Sequence, residues 1–180
     1  MDFVFGEKMP FGRTRFLSIT GTVVELYPAG TGGRRDYGCI LFAGVEDREG
    51  NTVNFMVTPS TYVVDFETLS TGMECTFWYA ADAPAPLIYP PQYTAVVAVP
   101  ERNGRMVSVG YFDSTLVNEN RTLQLNMDGS VKIRTTNNQY FQGSPANHNL
   151  VVIYESSTRS IPAQTTPREV IVLCDGGGRS

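Results

Sequence analysis

From Phe16 onward, apolar and polar residues alternate or run in short blocks, and each block ends at a turn residue. In the first half this pattern predicts strands over 16–27, 38–46, 52–58, 73–79 and 93–99. In the second half it predicts strands over 106–112, 122–127, 131–135, 150–155 and 169–173. Residues 47–51 are a hairpin turn, and 60–70 carry a brief β or helical element. Gly21 falls inside the first strand, where a bulge or sharp coil fits. The loop 28–35 is glycine-rich and reads as mobile. The loop 80–92 holds Pro84, Pro86, Pro90 and Pro91 and can add little ladder. No long stretch shows a 3.6-residue period. Many short strands spaced by turn residues argue for an all-β chain of barrels or sandwiches.

Alternation in the fourth strand sorts its residues by face. Met73, Cys75, Phe77 and Tyr79 share one face and make core, whereas Glu74, Thr76 and Trp78 share the other. The two strands that close the halves behave differently. Val96–Val99 and Val170–Leu173 are continuous apolar runs, expected to be buried on both faces.

Both halves end in the same series: a strand, a Pro-Gln loop and an apolar strand. Trp78-Tyr79 precedes Tyr89-Pro90-Pro91-Gln92-Tyr93, and Ile153-Tyr154 precedes Ile161-Pro162-Ala163-Gln164. The recurrence points to internal duplication. The implied organisation is an arm over 1–15, a β-barrel module over 16–101, a polar linker near Asn103, a second module over 104–174 and a tail over 175–180. Five strands with the longest connection between the third and fourth is the order of an OB-type barrel. The expected fold is two tandem five-stranded OB-like barrels.

The segments Ile19-Thr20-Gly21-Thr22-Val23, Thr61-Tyr62-Val63-Val64-Asp65 and Leu69-Ser70-Thr71-Gly72-Met73 carry a resemblance. The chain resembles small OB-like β-barrel modules of uncharacterised bacterial proteins, which occur singly and in tandem. The resemblance covers roughly 16–100 well and 104–174 more loosely, because the second half lacks a clear Leu-x-x-Gly before its fourth strand. It implies a fold and brings no catalytic residues.

Charge and composition narrow the partners. The formal charge is −4, and residues 1–103 carry −5 (7 Lys/Arg against 12 Asp/Glu). That is the wrong sign for backbone-driven nucleic-acid binding. The start of the chain lacks a basic then apolar leader, and no run reaches the length of a membrane helix, so the expected location is cytoplasmic. Cys39, Cys75 and Cys174 show no CxxC spacing and read as buried free thiols.

Candidate chemistry is sparse. The single His148 sits between two Asn residues and reads as a solvated loop residue, with no second ligand to make a metal site. Neither a GxSxG elbow nor a phosphate-binding glycine motif is present. Glu46, Asp47 and Glu49 read as a solvated turn. No catalytic, metal or cofactor site is expected, and the chain is expected not to be an enzyme.

The remaining candidates for a ligand or interface are Trp78, Tyr89, Gln92, Tyr93, Ile153 and Gln164. Trp78 and Ile153 are apolar on outer faces, which suits packing between modules or a partner-binding patch. The two Gln amides suit bonds to backbone across their loops. The leading expectation is a non-catalytic tandem β-barrel interaction or assembly module, with a protein partner or self-association. Its rival is oligosaccharide or single-stranded nucleic-acid binding on a platform of strands two and three that carries Phe42 and Phe55. A hydrolase without a motif is the remote third.

Overall fold

The computed structural model describes residues 13–29, 35 and 37–174. Most of the loop expected over 28–35, the tail over 175–180 and residues 1–12 of the arm lie outside the described residues. The protein is all-β, 47% strand and 2% helical, with its strands in several sheets. It divides into two compact units, Phe16–Arg102 and Asn103–Ser180, the latter joined by the N-terminal residues through Arg15.

The first unit is built around one long strand. β1 (Phe16–Pro28) is followed by β2 (Leu41–Asp47), β3 (Thr52–Val57), β4 (Tyr62–Val63), a one-turn 3-10 helix (Val64–Phe66), β5 (Glu74–Ala80), β6 (Gln92–Thr94) and β7 (Val97–Pro100). The first half of β1 pairs antiparallel with β5 and its second half pairs antiparallel with β2. Gly21 belongs to both ladders. A Cβ there would lie 2.4 Å from the Glu46 carbonyl oxygen, so only glycine lets the strands approach so closely. The bulge expected at Gly21 is instead at Val24, between Val23 and Glu25. The extra residue restores parity, so that Val23 and Leu26 both face the core.

The remaining ladders link β2 to β3 antiparallel, β3 to β6 parallel, β4 to β7 parallel and β5 to β7 antiparallel. The strand expected over 93–99 is therefore two short strands. They are separated by Ala95 and Val96, whose N–H groups leave the ladder to bond Met56 and Trp78 carbonyls at 3.0 and 2.8 Å. The core is Val23, Ala43, Val45, Val53, Phe55, Cys75, Phe77 and neighbours. Phe55 and Phe77 stack at 4.7 Å. Met73 and Tyr79 pack against this core, as strand parity requires. Phe55, expected on an outer platform, is fully buried because Val53, Phe55 and Val57 share the inner face of β3.

The second unit runs β8 (Met106–Phe112), β9 (Leu123–Leu125), β10 (Lys132–Thr135), β11 (His148–Tyr154), β12 (Ala163–Thr165) and β13 (Glu169–Leu173). β8 pairs antiparallel with β11, β11 antiparallel with β13, β10 parallel with β13, and β9 parallel with β12. Antiparallel bridges join Phe112 to Asn118 and Val117 to Gln124. These match the ladders of the first unit in order and sense, with 117–118 standing where β2 stands. The strand expected second in this half thus corresponds to β3, and the one expected third corresponds to β4.

Side-chain capping explains the shrinkage of the β2 counterpart. Asp113 Oδ1 accepts from the N–H groups of Thr115 and Val117, and Asn118 Oδ1 accepts from those of Thr122 and Leu123. These bonds satisfy backbone groups that a longer ladder would otherwise use. The core of this unit is Phe112, Leu123, Leu125, Leu150, Val152, Val170 and Val172.

The described part of the arm is tied to this unit. Arg13 Nε donates to Glu119 at 2.7 Å, its guanidinium lies 4.9 Å from the Tyr111 ring centre, and the Thr14 N–H donates to Asn149 Oδ1. The closing runs are buried on both faces over most of their length: Val97, Ala98, Val99, Val170, Ile171 and Val172 are each no more than 3% exposed, while Val96 and Leu173, at one end of each run, are half-buried.

Candidate functional site: the Pro-Gln loops and the outer sheet face

The loop 81–91 joins β5 to β6 and is exposed from Ala81 to Tyr89. Its prolines hold it extended, and Asp82 is its only charged residue. It is pinned at its far end by the Asn54 N–H, which donates to the Pro91 carbonyl at 2.8 Å. Leu87 and Tyr89 are 103% and 85% exposed, and Ile88 lies between them, 53% exposed. The Tyr89-Pro90 bond is cis. An open depression of about 500 Å³ is lined by residues 85–89, Pro91, Gln92 and Tyr93.

The floor of this depression is continuous with the core. Tyr93 stacks on Tyr79 at 4.1 Å between ring centres, and both approach Phe55. Burial first, and then the neighbouring Tyr93, raise the Tyr79 hydroxyl above the ordinary tyrosine range. Tyr79 therefore stays neutral behind Tyr93, which lines the depression.

The counterpart loop in the second unit is shorter and carries a single exposed apolar tip, Ile161, before the cis bond to Pro162. There Gln164 bonds by backbone as well as side chain. Its N–H donates to Thr158 Oγ1 and its carbonyl accepts from the Thr158 N–H, each at 2.9 Å, while its Oε1 accepts from Asn126 Nδ2. The amide-to-backbone bond expected of this side chain is thus replaced by an amide-to-amide bond to Asn126, one residue past the end of β9. Gln92 is half-buried at the start of β6, opposite Asn54.

Trp78 is half-buried on the face of β5 opposite the core, paired with Ser18 and Val97. Ile153 occupies the same place in its ladder, opposite Glu169, and is fully buried, which leaves it no surface for a ligand.

Of the platform expected on strands two and three, Phe42 does lie on the outer face of the first sheet, but the rows it belongs to cross four strands and were not legible in the sequence. One row is Tyr27, Phe42, Met56 and Thr94; the next is Glu25, Gly44, Asn54 and Gln92. Directly paired residues point the same way, so each row is a strip of surface. Tyr27 and Phe42 stack at 5.0 Å. In the polar strip Glu25 and Asn54 close over the buried Gly44, the Glu25 carboxylate and the Asn54 amide oxygen lying 3.4 and 3.5 Å from where a Cβ would sit.

The other chemical candidates settle into structural roles. His148, expected in a solvated loop, opens β11 half-buried, its Nδ1 2.8 Å from the Ala146 carbonyl and its ring edge-on to Phe141. Of the cysteines expected to be buried, Cys39 and Cys174 are exposed, because they lie just outside strands; only Cys75 is in the core. Burial and then Glu101 push the Cys75 thiol up to about 11, so it is protonated and unreactive near neutral pH. Asp47 Oδ1 accepts from the Glu49 and Asn51 N–H groups, making a turn of the acidic cluster. Among the described residues no group of three His, Cys, Asp or Glu could hold a metal, and no helix is long and apolar enough to cross a membrane.

No protein-family model matches the chain, and no curated protein is significantly similar to it.

Proposed function

We propose that the protein is a non-catalytic binding and assembly module, made of two OB-like barrels that arose by internal duplication. Support for the barrels is that β6, at one edge of the sheet order β4-β7-β5-β1-β2-β3-β6, runs through Ala95 and Val96 directly into β7 near the other edge, with their N–H groups bonding Met56 of β3 and Trp78 of β5. Support for duplication is the recurrence of this path with equivalent residues in equivalent places. Gly21 opposite Cys75 matches Gly110 opposite Leu150, and Trp78 opposite Val97 matches Ile153 opposite Glu169. The N–H of Val96 bonds the Trp78 carbonyl as that of Arg168 bonds Ile153, both at 2.8 Å.

The observation that carries the binding role is the exposed Leu87-Ile88-Tyr89 tip. Three adjacent large apolar side chains held in water by a proline-stiffened loop lose little conformational entropy on docking and gain from burial. The partner that best fits so uncharged a tip is another protein surface, with a second copy of this chain the simplest case. Sedimentation velocity over a range of concentrations tests this. Wild type is expected to associate, and Leu87→Ser/Ile88→Ser/Tyr89→Ser to weaken association about tenfold or more while keeping its melting temperature. A wild type that stays monomeric throughout, or a variant that associates equally well, contradicts the reading.

A further inference from the structure

The linker between the two units carries the only Asn-Gly pair in the sequence, Asn103-Gly104. The pair forms a turn between β7 and β8, at the boundary of the two compact units, and residues 101–104 are all exposed. Gly104 is left-handed at φ 78, and a Cβ built on it would meet nothing within 4 Å. Among the described residues no hydrogen bond holds the Asn103 carboxamide or the Gly104 N–H. The Asn103 Cγ is thus an unshielded electrophile beside the next backbone nitrogen, and attack within one chain needs no encounter. Glycine, with no Cβ, hinders closure of the five-membered ring least of all residues.

Other positions lack one or another of these features. Asn118 Oδ1 accepts from two backbone N–H groups, Asn126 Nδ2 donates to Gln164, and Asn149 is buried in β11. Asn138 is exposed, yet the Gln139 side chain follows it and crowds the ring. Asp128-Gly129 could close the same ring with loss of water. There Asp128 Oδ1 accepts from the Ser130 hydroxyl and N–H, which hold the carboxyl below its ordinary range, in the anionic form that resists attack.

We propose that Asn103 is a site of spontaneous covalent modification, where the boundary between the units turns from asparagine to isoaspartate and aspartate. The Gly104 nitrogen gives its proton to solvent base and attacks Asn103 Cγ. The N–Cγ bond forms, the Cγ–Nδ2 bond breaks, and Nδ2 leaves as ammonia. One water then opens the succinimide. Opening at the backbone carbonyl gives isoaspartate, with the chain routed through Cβ and Cγ, and opening at Cγ gives aspartate. Either product adds a negative charge two residues from Glu101, and isoaspartate lengthens the linker by a methylene. The test incubates the full chain at mildly alkaline pH, native and in urea, and follows every asparagine by peptide mass spectrometry, with isoaspartate told from aspartate by its backbone fragments. In the native chain Asn103 is expected to convert at least about tenfold faster than any other asparagine, at a rate within about tenfold of that in urea, and to yield both products. Asn103→Gln, which would need a six-membered ring, is expected to abolish the early acidic shift in isoelectric focusing while keeping the wild-type melting temperature. The proposal is overturned by a native Asn103 that stays intact, that another asparagine outpaces, or that reacts more than about tenfold slower than in urea. An early acidic shift that persists in Asn103→Gln overturns it as well.

Discussion

Single residues fix the geometry of the first unit more than its apolar bulk does. Gly21 marks the point where β1 leaves β5 for β2, and the Glu46 carbonyl occupies the space of any side chain. Gly21→Ala is expected to destabilise the protein by about 1–3 kcal/mol, read by urea denaturation, since backbone rather than a flexible side chain must yield. Cys75 makes the second residue-scale prediction. Its thiol is pushed up to about 11 in the folded protein, against 9.0 for an unperturbed one. The unfolded chain therefore loses its proton first, and stability complete below pH 9 should fall as pH rises from 9 toward 11. At pH 8, iodoacetamide should label Cys39 and Cys174 in the native protein and reach Cys75 only after unfolding.

At the scale of elements, the two units solve the same turns with different residues. Before β5, Gly72 is left-handed at φ 96 and its N–H bonds the Val23 carbonyl at 2.8 Å. Before β11, Asn147 is left-handed at φ 61 and its N–H bonds the Phe112 carbonyl, again at 2.8 Å. The Leu-x-x-Gly signal missing from the second half is thus met by Asn, the residue that best tolerates this conformation after Gly. Asn147→Gly is expected to be nearly neutral in thermal denaturation, and Asn147→Val to cost about 1–2 kcal/mol. The alternating strands β1, β3 and β8 and the continuous apolar run of β13 were legible within a residue or two. β6, β12 and the bridges at 117–118 were not, because two or three residues carry no period and their pairing depends on partners distant in sequence. His148 was misplaced for a related reason: flanking Asn residues suggest a loop, yet Asn149 sits buried in β11.

For the molecule as a whole, the all-β class could be read from the chain, and Tyr89, Gln92 and Tyr93, singled out there, line one depression. The outer-face strip could not be read, since its members sit on β1, β2, β3 and β6 and meet only through register. Equivalent positions also drift: Asn54 and Gln124, Gln92 and Gln164, Trp78 and Ile153, and Gly21 and Gly110 have unequal separations, so a fixed repeat period is blurred by loop length. Amide and Hα NOEs from the labelled full chain test the proposed recurrence of one β module most directly. The account predicts cross-strand NOEs for β3–β6 and β5–β7, joined through Ala95 and Val96, and the same for β9–β12 and β11–β13, with Gln92 and Gln164 in equivalent registers. A second half whose β12 and β13 contact different strands, or a first half in which β6 and β7 never share a ladder path back to β1, would contradict it.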